Sequence, residues 1–259
     1  MSPDQPLTQP CDDLLSPQRD TDAIVSPKDN GSDDLVQING FALFASMLPL
    51  LALYFYGFAS RLLDQSRPSL SALMNEQRFN WVTQAARRDS PLDAILSGNI
   101  MSSVSFFAST TALLILALFT VIGQLQDFLP ALSSITLGPA YTELDLQMHN
   151  VVLLFLFVYA FLAFTLSLRQ FNHFCILIGA FDHTKPAPAE EIRTVARINA
   201  MAAQRFNSGI RSYYFAIPMV AWFVSSWLAI IVTIGTVGLL LHREYFSNAR
   251  WLVARITPH

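Results

Sequence analysis

Thr165, Arg169, Asn172 and His173 recur on one face of the helix that their apolar segment would form, with Gln170 beside them, and Arg169 is the only charged residue in that segment. Ionisable groups inside membrane spans mark ligand and ion pathways. This face could therefore bind an anionic ligand or line a water-filled path, with Asn99 of the preceding apolar segment as the group it would meet. One function class follows: a small channel or carrier for an anionic or neutral solute. The same residues also fit a plainer description. In it Arg169 snorkels to the headgroups, while Asn172 and His173 lie in helix beyond the boundary.

A second pattern concerns packing. Gly98, Ser102, Ser105, Ser109 and Ala112 alternate spacings of four and three residues, so on a helix they form one continuous stripe of small side chains. Helices in lipid associate through close backbone approach and interhelical hydrogen bonds. The stripe therefore implies a tightly packed partner helix, within this chain or in a second copy, and packing within the chain is the favoured expectation. His149 and His242 would fall at the same side of the membrane, but no third ligand at fixed spacing supports a metal or haem site. No phosphate loop, paired-Cys motif, His-Glu-x-x-His or nucleophile elbow occurs, so no cofactor, metal or catalytic residue is assigned. Cys11 and Cys175 are the only cysteines, which excludes a disulfide framework.

The elements that must position these residues follow from composition. The chain has 259 residues, 53% hydrophobic and only 14% charged, against about 25% charged in soluble domains. A soluble enzyme is excluded. Residues 1–39 carry eight Asp against Arg19 and Lys28, with five prolines; low hydrophobicity and high charge give an acidic tail without a core of its own. Four segments have the roughly 20 apolar residues a transmembrane helix needs: about 41–60, 104–123, 151–181 and 213–241. None contains Asp or Glu, which disfavours an ion-coupled carrier. The expected fold is all-α and polytopic: a four-helix membrane domain over 40–245, amphipathic loop helices, and a short tail over 246–259. Asp127–Tyr141, broken by Pro130, Gly138 and Pro139, reads as an interfacial loop.

Basic residues then set a sidedness. Arg61, Arg67, Arg78, Arg87 and Arg88 lie between the first two spans, none between the second and third, and Lys185, Arg193, Arg197, Arg205 and Arg211 between the last two. Positive charge stays in the cytoplasm, so both basic loops are expected inside and both termini outside a bacterial inner membrane. Leu70–Arg88 has near-helical apolar spacing, Ser90-Pro91 opens another helix, and Glu190 and Glu191 open a third. On that third helix Arg193, Arg197 and Arg211 fall on one strip about 40° wide, a candidate surface for anionic lipid. The basic residues lack the aromatic interleaving that nucleic-acid binding would call for.

Asn99-Ile100-Met101-Ser102-Ser103, followed by Ala108-Ser109-Thr110-Thr111-Ala112, resembles the second-span signature of the membrane family known as domain of unknown function 599. Arg169-Gln170-Phe171-Asn172-His173 is similar to its third-span signature. The resemblance covers about Phe41 to Trp251 and implies a roughly four-helix membrane protein with no assigned activity. It also implies that the stripe and the polar face meet. The leading expectation is a structural or accessory membrane subunit, with the bilayer and a homo-oligomer or membrane-protein partner as its contacts.

Overall fold

The computed structural model describes residues 39–138 and 141–257. The acidic segment read over 1–39 lies outside them except for Asn39. The described residues are helical, without a strand, in the order α1 (Gly40–Ser66), α2 (Leu70–Ala85), α3 (Leu92–Gly123), α4 (Leu125–Ser133), α5 (Glu143–Gly179), α6 (Ala189–Trp222), α7 (Ser226–Leu241), a π-helical turn (His242–Phe246) and α8 (Asn248–Ile256). Four stretches are long and apolar enough to cross a membrane: Gly40–Gln65, Leu92–Gly123, Glu143–Gly179 and Ser226–Ile256.

Local chemistry explains most boundaries. Asn39 caps α1 by accepting the N–H groups of Phe41 and Ala42, while its own N–H donates to Asp145. Asp145 and Thr142 form the capping box that starts α5. α1 stops at Arg67, which is extended because Pro68 follows it. Ser69 caps α2, and Ser90 accepts from Leu92 N at the start of α3. Asp182 accepts both the N–H and the hydroxyl of Thr184 in the α5–α6 connection; these bonds hold its carboxyl below the usual range.

Successive long helices alternate in direction. At the upper end, the α1 N-terminus, the α5 N-terminus and the α6 C-terminus converge: Trp222 donates from its indole to the Ala42 carbonyl, and Leu125, Leu132, Leu146 and Ala229 close the core there. At the opposite, basic end, α2 packs beside α6, with Asn207 reaching Ser71. There α8 is tied down by Arg250 to the Pro68 carbonyl and by Gln77 to Thr257. Asp93 joins α2 to α3 by accepting from Trp81 at 2.6 Å and from Arg88 at 2.7 and 3.1 Å.

Three expectations are corrected. Residues 213–241 are not one span: α6 continues to Trp222, the chain turns over 223–225, and α7 begins at Ser226. The turn is possible at the membrane because tertiary donors pair the carbonyls it frees. His149 donates to Met219, Tyr141 to Trp222, Thr136 to Phe223 and the Leu137 N–H to Val224. Because α6 returns along the bundle, Asn39 and Thr257 lie at opposite ends of it, not at the same end as expected. Finally, α4 and α8 are helices where an interfacial loop and a short tail were read. Pro130 sits inside α4 while Leu125 and Leu132 face the core.

Candidate functional site

The small-residue stripe is the most ordered feature, and it faces outward. Gly98, Ser102, Ser105, Ser109 and Ala112 are all exposed, whereas Val104, Thr111 and Leu118 on the opposite side of α3 are buried. A Cβ added at Gly98 would meet nothing within 4 Å. No helix among the described residues covers this face, so the expectation of a partner within the chain is corrected. α3 instead packs on α5 through its other side, where Met101 and Cys175 bring their sulfurs to 3.4 Å and Phe107 stacks on Phe164 at 5.6 Å.

The polar face of α5 is not enclosed either. Thr165, Arg169, Asn172 and His173 are exposed, and so is Asn99 on α3. Thr165 bonds back to the Phe161 carbonyl at 2.8 Å. The two faces that were expected to meet both look outward, because the contact between α3 and α5 is made by the apolar sides of both helices. Gln170 alone turns inward, its side-chain oxygen buried without a partner among the described residues. With His173, Ile176, Leu177, Ile198 and Met201 it lines an open groove of about 420 Å³ between α5 and α6.

The arginine strip of α6 is divided. Arg193 pairs with Glu190 at 2.9 Å on the surface, and Arg197 is exposed. Arg211, about 21 Å further along the helix, sits over the Tyr56 ring with 5.1 Å between guanidinium carbon and centroid. The two histidines are also separated. His149 is fully buried at the upper end, while His242 lies beyond α7 at the basic end. No group of three or more metal-ligating side chains occurs among the described residues.

Sequence reasoning missed two features. The first is the knot around His149. Its ring stacks on Trp222 at 4.0 Å, and Tyr141 stacks on Trp222 at 4.0 Å. A carbonyl can only accept, so Nε2 carries the hydrogen given to Met219 and Nδ1 accepts from Ser46 at 2.8 Å. The second is the α5–α6 seam. Buried Ala160, Ala163 and Ser167 on α5 face Ala202, Ala203 and Gly209 on α6, and Ser167 donates to the Ala202 carbonyl at 2.7 Å. The signal was present: small residues recur at helical spacing on both segments, as they do on α3.

Residues 44–249 match the family described as "Protein of unknown function, DUF599". The chain belongs to that family. The match spans the helices from α1 to the start of α8, so the α3 stripe, the α5–α6 seam and the His149 knot all lie within the family's region. No curated protein and no solved structure matches the chain.

Proposed function

We propose that this member of the family is a non-enzymatic structural or accessory subunit of a bacterial inner membrane, which packs through α3 against a helix of another chain. The observation that carries the reading is the uncovered stripe from Gly98 to Ala112: five small residues in register on an exposed face of a membrane-length helix. Lipid offers small side chains no particular advantage, whereas a second helix gains close backbone approach and hydroxyl contacts from them. The separation of Asn39 from Thr257 along the bundle and the basic residues of α2, α6 and α8 support insertion with the α8 end in the cytoplasm and Asn39 facing away from it. In this orientation the three C-terminal arginines, Arg243, Arg250 and Arg255, join the basic loops.

The test is the mass of the purified protein in mild detergent. Wild type is expected as an oligomer or with a co-purifying membrane protein, and Gly98→Leu and Ser105→Leu are expected to break that association. Both positions are exposed, so the variants leave the fold intact, which an unchanged melting temperature would verify. A lone wild-type monomer, with both variants identical to it, would overturn the proposal.

A further inference from the structure

The described residues hold four arginine–aromatic contacts, and all lie toward the basic end around α1, α6, the π-helical turn and α8. Arg67 sits 5.5 Å over Phe246, Arg211 5.1 Å over Tyr56, Arg243 5.8 Å over Tyr214 and Arg255 3.4 Å over Trp251. None of these arginines is in an ion pair among the described residues, whose three ion pairs lie elsewhere. The nearby carboxylates are engaged otherwise: Asp64 accepts from the Tyr245 hydroxyl and Glu244 from the Ser71 N–H. Arg243 also donates one N–H to the Tyr214 hydroxyl at 2.7 Å, and each guanidinium has a ring beside it and no direct carboxylate partner among the described residues. Its edge donors match phosphate oxygens in bidentate geometry.

The same corner turns apolar surface outward. Trp251 (54% exposed), Leu252 (58%) and Ile256 (67%) on α8, with Phe246 (63%) before them, turn most of their surface away from the protein. α8 has no buried residue at all. The Arg250–Pro68 and Gln77–Thr257 bonds nevertheless hold it in place. A helix anchored by its polar side with Trp, Leu and Ile facing out is the arrangement of an interfacial helix, whose apolar side enters the acyl boundary, and Trp is enriched at that depth.

We propose that Arg67, Arg243 and Arg255, backed by Phe246, Tyr214 and Trp251, form a binding corner for the phosphate headgroups of anionic phospholipid in the adjoining leaflet. Leu252 and Ile256 sit against the acyl chains. This corner differs from the Arg193–Arg197 strip, where Arg193 already has Glu190 as its partner. It is independent of the α3 interface.

The test is native mass spectrometry of the full chain released from mixed vesicles of phosphatidylglycerol and phosphatidylcholine. Wild type is expected to retain phosphatidylglycerol selectively; equal retention of the two lipids would overturn the proposal without any variant. Near a membrane each basic residue is worth about fivefold in binding, so replacing three is expected to reduce the preference about a hundredfold. The triple variant Arg67→Gln/Arg243→Gln/Arg255→Gln should therefore bind both lipids alike. Arg193→Gln/Arg197→Gln should keep the wild-type preference; loss in this control equal to that in the triple variant would contradict the assignment. The triple lysine variant, which retains charge, is expected to keep part of the preference and separates charge loss from misfolding. Displacement of the lipid by millimolar inorganic phosphate would assign the corner to a soluble anion and overturn the lipid reading.

Discussion

Gly209→Ala tests the seam that holds α5 to α6. A Cβ at this position would lie 2.5, 2.7 and 2.8 Å from three ring carbons of Phe164, whereas carbon atoms settle at about 3.5–4.0 Å. The ring would have to retreat by about 1 Å. It has nowhere to go: Phe164 is fully buried, with Phe107, Phe206 and Tyr213 centred 5.6, 5.7 and 5.8 Å from it. Overpacking of this kind costs about 1–3 kcal/mol, and replacing a helical glycine by alanine returns up to about 1 kcal/mol. The expected net loss is about 1–2 kcal/mol, or a melting temperature lower by about 4 °C for a chain of this size. The assay is thermal unfolding in detergent, read by the reactivity of half-buried Cys175 in a Cys11→Ser background. Phe164→Leu in the same chain should relieve the clash, so the double variant should be more stable than the sum of the singles by about 1 kcal/mol. A Gly209→Ala protein that melts at or above wild type, or strictly additive effects, would refute the close approach of α5 and α6.

Three further outcomes follow from the same geometry. Asp93→Ala leaves the Trp81 indole and the Arg88 guanidinium without their acceptor. Thermal melting should register a loss of about 2 kcal/mol, the Arg88 share being discounted because its side chain is 40% exposed, and Asp93→Asn should lose about half as much. His149→Leu strips the Met219 carbonyl and the Ser46 hydroxyl of buried partners, which costs about 3 kcal/mol in the same assay, while Ser46→Ala costs about 1 kcal/mol. Single cysteines at positions 137 and 248, both exposed, in a chain lacking Cys11 and Cys175, should label from opposite sides of the membrane. Labelling of both from the outside would return the C-terminus to the side of the N-terminus.

The membrane class was legible because apolar run length is a bulk property: the first two runs fall inside described helices, and the third passes the end of α5 by two residues. The helix over 70–85 was legible from its apolar spacing, and the helix from 189 from the acidic first turn of Glu190 and Glu191, which is local chemistry. The fourth span was misread because an apolar run specifies burial, not continuity. The break after Trp222 depends on donors from Tyr141, His149, Thr136 and Leu137, between 70 and 87 positions before the carbonyls they pair. The polar residues of α6 looked like a cytoplasmic loop, yet Arg211 and Asn207 belong to a helix that returns through the bundle. Helical spacing identified the faces of α3 and α5 but carries no information on the direction in which each points. Outward orientation of both emerged only once the apolar sides of the two helices were seen to pack on each other. Gly209 was overlooked because a single glycine in a polar stretch has the same signature whether it serves flexibility or close contact.

The most direct test of the central claim, that α3 presents its stripe to another chain, is disulfide cross-linking in native membranes. Ser105 and Ser103 are both exposed on α3 but point about 160° apart. In a background without Cys11 and Cys175, Ser105→Cys is expected to give a cross-linked product under mild oxidation and Ser103→Cys none. Equal cross-linking at the two positions, or none at Ser105 when wild type purifies as an oligomer of this chain alone and an exposed control cysteine oxidises in the same membranes, would contradict the account.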